Sequence, residues 1–270
     1  MIAALGAKAI QDVVNAGQFG RFAWRSTVTS IRGCTRKSTY PLIWTQMFLI
    51  GVHSVPVIMI TGAFVGMTLA VQAYDQLAGM GLEEHLGVLI NISVVKELGP
   101  VLAAVMLAGR IGGALTAELG TMNVTEQIDA VRSMGTDPVR HLVAPRLLAC
   151  LLLTPVLTIF ADMMGVVGGA LVSFLQFGIN SRAYWMFSAS AVAMWDVSIG
   201  IIKAFFFGGA IAVISCYKGF NCREGAHGVG EACTEAFVAS FISILALDFA
   251  LAVIFKSIYE IFWPVKSIVS

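Results

Sequence analysis

Of the 270 residues, 58% are hydrophobic and 12% are charged, with a mean hydropathy of +0.85; an ordinary soluble domain carries about 25% charged residues. The 33 charged side chains cannot furnish a polar shell for a chain of this length, which excludes a water-soluble globule and leaves lipid as the main solvent. A formal net charge of +1 excludes the broad basic field of a nucleic-acid binder.

The chain opens with Ile2, Leu5, Ile10, Val13, Val14 and Phe19 spaced among polar residues, reinforced by Phe22, Trp24 and basic side chains. That pattern fits an amphipathic helix lying on a membrane surface. A cytoplasmic helix covering loops carries the same pattern, so both readings stay open here. The short apolar core and small-residue cleavage site of a signal peptide are not apparent in residues 1 to 20. Lys8, Arg21, Arg25, Arg32, Arg36 and Lys37 precede the first long apolar run against one acid, Asp12, so the positive-inside rule predicts a cytoplasmic N-terminus. The expected division is an interfacial region at 1–43 and a transmembrane domain at 44–270.

No charged residue occurs between Lys37 and Asp75, more than the ~20 residues that cross a hydrocarbon core, which predicts a first crossing at about 44–74. Pro56 is positioned to kink it, and Gly62 with Gly66 form a GxxxG pair that lets another backbone approach. The next apolar region is interrupted by Lys96, Glu97, Gly99 and Pro100; it reads as a re-entrant or outer-surface segment up to Val95, then a second crossing from about Leu98, with Gly109 and Gly113 as another such pair. A polar connection from Glu118 to Arg146 follows. In it, Asn123 as N-cap, Glu126 three residues on, and a stop at Gly135 and Pro138 enclose a short helix near 123–135. Val124, Ile128 and Val131 mark its apolar side, while Glu126, Asp129 and Ser133 face elsewhere.

A third crossing is expected at 147–177, interrupted by Pro155 and Asp162 and carrying Gly165 and Gly169. Residues 178–195, with Arg182, Tyr184, Trp185 and Trp195, read as an outer loop with interfacial aromatics. A fourth crossing at 197–216 carries Lys203, a connection from Tyr217 to Glu235 lies inside, and a fifth crossing at 236–255 carries Asp248. Five crossings place the C-terminus outside, with Trp263 and Lys266 at the interface.

No GxxxxGK[ST] phosphate loop occurs, so the chain does not hold ATP in that cradle, and neither HExxH nor GxSxG is present. The chain reads as a non-enzyme. The five cysteines form no CxxC pair; Cys216, Cys222 and Cys233 with His227 share one connection, but their spacing matches no zinc pattern, and small apolar side chains explain them as well. Lys96, Glu97, Asp162, Lys203 and Asp248 are the charges at membrane depth, where each costs about 2.5 to 3.5 kcal/mol on insertion scales and therefore needs a partner, a cavity or the interface. Lys203 and Asp248 lie on the last two helices and are placed to pair. Lys96 and Glu97, being adjacent, are expected to point apart, with at most one in a cavity. Two roles stay open for these charges: fixing helix packing, or lining a pathway.

The stretch Lys96-Glu97-Leu98-Gly99-Pro100-Val101-Leu102-Ala103-Ala104, then Ala108-Gly109-Arg110-Ile111-Gly112 and Ala117-Glu118-Leu119-Gly120-Thr121-Met122, resembles the signature region of the MlaE family of lipid-transporting ABC permeases. The likeness continues through Val124 to Ala130, Met134-Gly135, Asp137-Pro138 and Pro145-Arg146, with a weaker match at Gly225 to Gly230 and Thr234. It implies an all-α integral membrane fold, with an interfacial helix and about five transmembrane helices, assembled as a homodimer. It implies an ABC ATPase dimer below, which holds ATP and Mg, and an MCE-domain (MlaD-like) protein outside. A STAS-domain (MlaB-like) protein occurs in some systems. The helix near 123–135 takes the position of the family's coupling helix, with Glu118, Thr125, Glu126, Gln127, Asp129 and Arg132 as candidate ATPase contacts. The activity implied is movement of phospholipid between the inner membrane and the external carrier, serving outer-membrane lipid asymmetry. Lys96, Glu97, Lys203 and Asp248 are the candidates for head-group binding or gating, the two lysines attracting phosphate and the two acids balancing them. A competing reading makes Glu97, Asp162, Lys203 and Asp248 the ion or proton path of a secondary transporter or channel that works without an ATPase.

Overall fold

The computed structural model describes residues 2–34 and 40–262, and every regular element among them is helical. Arg36, Lys37, Trp263 and Lys266 lie outside the described residues. Helix α1 (Ile2–Cys34) is followed by α2 (Tyr40–Ala78). The chain then returns through α3 (Leu86–Ser93), α4 (Gly99–Leu107) and α5 (Gly113–Val124), and α6 (Gln127–Ser133) is a short helix at the turn. Helices α7 (Ala144–Leu175), α8 (Ser181–Ala191), α9 (Met194–Phe220) and α10 (Gly225–Phe262) complete it. Five helical runs are long and apolar enough to cross a membrane: 40–78, 83–124, 139–175, 194–220 and 225–261. Connectivity puts α1, α6 and the 221–224 turn at one end of the bundle, and α8 at the other.

The second crossing differs from the sequence expectation. Lys96, Gly99 and Pro100 do not divide it; the run from Glu83 to Val124 stays helical, opening on a 3-10 turn at Glu83–His85 and departing from the α-pattern after that only in π-turns at Val94–Leu98 and Ala108–Gly112. A π-turn absorbs one extra residue without ending the helix. Pro100 loses no hydrogen bond that matters because it follows that turn, as the second residue of α4. The expected loop at 178–195 likewise contains α8, whose first turn is capped by the Asn180 side chain accepting from the Arg182 N–H at 2.9 Å. The expected connection 217–235 shrinks to Asn221–Glu224, since both flanking helices run on.

Helix α2 packs along α7 because both lack side chains where they meet. A Cβ on Gly66 would fall on the backbone carbonyl of Gly165, and one on Gly168 would fall on that of Ala63. This is the close approach that the glycine pairs of α2 and α7 predict. The pair on the second crossing behaves otherwise: a Cβ on Gly109 would meet only the Phe237 ring, and one on Gly113 would meet nothing within 4 Å. Among the described residues, no backbone seam forms there. Half of the apolar window of α9 is buried inside the chain, against 17% for α2 and 11% for α10, so α9 is the central post and α2 and α10 keep apolar faces for lipid or protein neighbours.

Helix α1 has one face docked on the bundle and another exposed. Phe19 and Phe22 set their rings edge-on against Tyr217 of α9, at 5.2 and 5.5 Å between centroids, so one face is docked. Val13, Trp24 and Ile31 remain largely exposed.

Candidate functional site

Three ionic groups meet in the half of the bundle nearer α8. Lys203 of α9 is completely buried, and its Nζ lies 2.5 Å from Glu97 Oε2 and 2.9 Å from Asp248 Oδ1. The expected pairing of Lys203 with Asp248 is therefore present, with Glu97 as a second partner that links the second, fourth and fifth crossings. Beside this triad, Lys96 Nζ approaches Asp196 Oδ1 at 3.2 Å. Asp196 also caps α9, its other oxygen accepting from the Ala193 N–H at 3.2 Å.

The expectation that Lys96 and Glu97 point apart does not hold. Both line one cavity of about 510 Å³, together with Lys203, Asp196, Trp195, Lys256 and Tyr259. The wider π-turn at Val94–Leu98 turns adjacent residues through a smaller angle than an α-turn, which lets both side chains reach the same space. The indole of Trp195 and the ring of Tyr259 stand 6.4 Å apart in the cavity wall. Formal charges in and around it balance: Lys96, Lys203 and Lys256 against Glu97, Asp196 and Asp248.

The accessibility of the lysines separates them. Lys203 has no exposed surface and both acids close over it, so its charge serves to hold those acids, whereas the Lys96 side chain is 40% exposed. Lys256 is exposed and has no ion pair among the described residues. Sequence reasoning passed over Lys256 and Asp196. The signal was present in the helical period: Lys256 falls two turns beyond Asp248, and Asp196 two turns before Lys203, on the same faces. Asp162 does not join the cavity; it packs against Gly99 and its Oδ1 is buried without a hydrogen-bond partner among the described residues.

A second set of candidates lies at the opposite end. Helix α5 runs to Val124, so Asn123 is inside a helix and is not an N-cap; its amide reaches Cys222 Sγ at 3.9 Å. The expected reciprocal cap with Glu126 does not form. Glu126 instead makes the corner between α5 and α6 with φ of +60°. Gly135, with φ of +74°, ends α6 as expected. The amphipathic reading holds: Ile128 is buried on Leu119, Val139, Leu142 and Val143, while Thr125, Glu126, Gln127, Asp129 and Arg132 are exposed. Asp129 and Arg132 pair with each other at 2.8 Å.

Glu118 is also exposed, but it is tied to a buried cation. Its Oε1 lies 2.7 Å from Nη2 of Arg146, whose buried guanidinium also donates to the Leu142 carbonyl at 2.6 Å. Arg25 of α1 reaches Asp137 at 2.9 Å, and Asp137 accepts from the Val139 N–H, so α1 is tied to the start of the third crossing. The cysteines are dispersed: Cys150 and Cys216 are buried, and the thiols of Cys222 and Cys233 donate to the separate carbonyls of Gly120 and Gly113. Among the described residues, no three His, Cys, Asp or Glu side chains are grouped as metal ligands.

Five membrane spans, three of them lining a charged cavity, with an exposed amphipathic helix at the far end, define a polytopic membrane protein of the permease class. The family described as Permease MlaE matches residues 43–254, and the chain belongs to this family. It is 38% identical over 251 residues to a probable ABC transporter permease protein of Rickettsia felis, covering 93% of this chain and 96% of that one. It is also 38% identical over 216 residues to the intermembrane phospholipid transport system permease protein MlaE of Haemophilus influenzae, covering 80% and 83%. The Arabidopsis thaliana chloroplastic protein TRIGALACTOSYLDIACYLGLYCEROL 1 is 35% identical over 236 residues, covering 87% of this chain and 63% of that protein. The chain is thus an ABC transporter permease of the MlaE family, a transmembrane subunit and not an enzyme.

Proposed function

We propose that this chain is the permease subunit of an ATP-driven transporter that moves phospholipid between a bacterial inner membrane and an external MCE-domain carrier, in support of outer-membrane lipid asymmetry. The observation that carries the reading is the cavity at the α8 end. It offers an accessible Lys96, and a Lys256 with no ion pair among the described residues, to a phosphate, beside a triad centred on the buried Lys203 that links three helices. Trp195 and Tyr259 give it an interfacial rim. The likeness to a phospholipid transport permease of Haemophilus influenzae supports the substrate class.

In this reading the N-terminus and α6 face the cytoplasm, because basic residues crowd that end ahead of the first span. The exposed face of α6 seats on an ABC ATPase dimer, which binds ATP and Mg and supplies the energy. Two copies of the chain form the permease, the MCE-domain protein meets the α8 end, and a STAS-domain protein joins the ATPase in some systems. Of the four charges in the ion-path alternative, Glu97 and Lys203 line the cavity, Asp248 is joined to it through Lys203, and Asp162 stands apart against Gly99, so they do not form one continuous file.

The test is to purify the chain with its partners, identify copurified lipid by mass spectrometry, and follow ATP-dependent transfer of labelled phospholipid to the carrier. Transfer that proceeds equally without ATP, or an assembly that carries no phospholipid, defeats the proposal.

A further inference from the structure

The second crossing holds one more charge, and it is unlike the others. Arg110 sits in the π-turn Ala108–Gly112, far inside the 83–124 span, and is exposed. No described carboxylate lies within ion-pair distance of it, in contrast to Lys96, Arg146 and Lys203, which are all paired. Such a charge is strongly disfavoured in hydrocarbon unless something polar meets it.

The surface around Arg110 shows what shape of ligand fits. A Cβ on Gly113 would meet nothing within 4 Å and Ala114 is exposed, so the helix surface one turn on from Arg110 has room for a ligand. Phe237 of α10 stands against Gly109, and Phe241 stacks on Phe237 with 6.3 Å between centroids. A cation beside an exposed aromatic wall matches a molecule with a phosphate at one end and an acyl chain at the other. The π-turn adds a parallel: the same distortion fourteen residues earlier presents Lys96 to the charged cavity. The two basic groups are roughly 20 Å apart along one helical run, comparable to the separation of two depths in a bilayer.

We infer that Arg110, with Phe237 and Phe241, forms a second lipid-phosphate station in the half of the membrane nearer α6, distinct from the cavity at the α8 end. This rests on the phospholipid reading above. The guanidinium takes the phosphate by charge-assisted hydrogen bonds and the two rings take the first part of an acyl chain.

The experiment uses the assembled complex in phosphatidylethanolamine vesicles doped with phosphatidylglycerol that carries a photoreactive acyl chain, read as labelled peptides containing 237–241. Arg110→Gln should lower labelling about tenfold, as expected for loss of one charge-assisted contact, and Arg110→Lys should restore most of it. Photoreactive diacylglycerol, which lacks phosphate, should label these peptides weakly in the unmodified complex. Unchanged labelling in Arg110→Gln overturns the inference, as does equal labelling by diacylglycerol. Competition by inorganic phosphate also overturns it, assigning the site to a free anion. So does an Arg110→Gln complex that comes apart on size exclusion, which makes Arg110 a contact between subunits. Failure of the transport reading is separable: transfer to the carrier would then be absent even in the unmodified complex, while Arg110-dependent labelling persists.

Discussion

The two ends of this bundle handle charge in opposite ways. Near α8, Lys203, Glu97 and Asp248 satisfy one another inside the chain, and Lys96 is matched by Asp196. At the α6 end, Thr125, Glu126, Gln127, Asp129 and Arg132 are exposed, and the one ion pair among them is local to a single helix turn. A buried charge needs a partner within the chain before the chain can be stable in lipid. An exposed one needs none, and is left available to a water-soluble partner. Substitutions in the Lys203 triad should therefore disturb folding before function, and those on the exposed face of α6 should disturb function alone.

The largest effect is expected from Lys203→Ala, which leaves Glu97 and Asp248 facing each other without a cation. A loss of about 2 to 3 kcal/mol is expected, less than for a fully buried pair because the Glu97 and Asp248 side chains keep 42% and 23% of their exposure, seen as lower recovery of monodisperse protein and a lower melting temperature in detergent. The triple change Lys203→Met, Glu97→Gln and Asp248→Asn removes all three charges and should recover most of that stability. If lipid transfer also returns to its unmodified rate, the triad serves packing only and the proposed gating role ends.

Next in size is Gly66→Leu, which drives a side chain into the carbonyl of Gly165 and parts α2 from α7. A cost of about 1 to 3 kcal/mol is expected, with unfolding midpoints as the measurement. Lys96→Ala combined with Lys256→Ala should preserve the fold and lower copurified phospholipid about tenfold, since both accessible cations of the cavity are lost. Unaltered lipid recovery would remove the cavity from the transport path.

At the α6 end, Glu126→Lys with Asp129→Lys should change stability by no more than about 0.5 kcal/mol, yet abolish lipid-stimulated ATP hydrolysis in the reconstituted complex. Stimulation that survives the double reversal rejects the docking assignment. The smallest effect belongs to Glu126→Gly: a left-handed corner suits glycine, so the substitution should stabilise the α5–α6 turn by up to about 1 kcal/mol, measured as slower amide exchange there.

The spans were legible in the sequence because a run of apolar residues without charge has one physical solution, a helix in lipid. The amphipathic face of α6 was legible for the same kind of reason: Ile128 and its neighbours recur at helical period. The Lys203–Asp248 pairing followed from two costly charges on successive helices. The breaks were misread because Lys96, Gly99 and Pro100 carry the local signature of an interruption, while the π-turn that absorbs them depends on hydrogen bonds with no compositional mark. Asn123 and Glu126 carry the spacing of a cap, but α5 continues through Asn123 and spends that spacing inside a helix.

Sequence by itself determined that the chain resides in lipid, how many times it crosses, and which charges demand an explanation, since transfer free energies act on residues one at a time. Tertiary structure alone decided that Glu97 joins Lys203, that Lys96 shares its cavity, that Lys256 and Asp196 belong to the site, and that Arg110 is left without a partner. Those outcomes depend on distances between helices far apart in the chain, which no local pattern encodes.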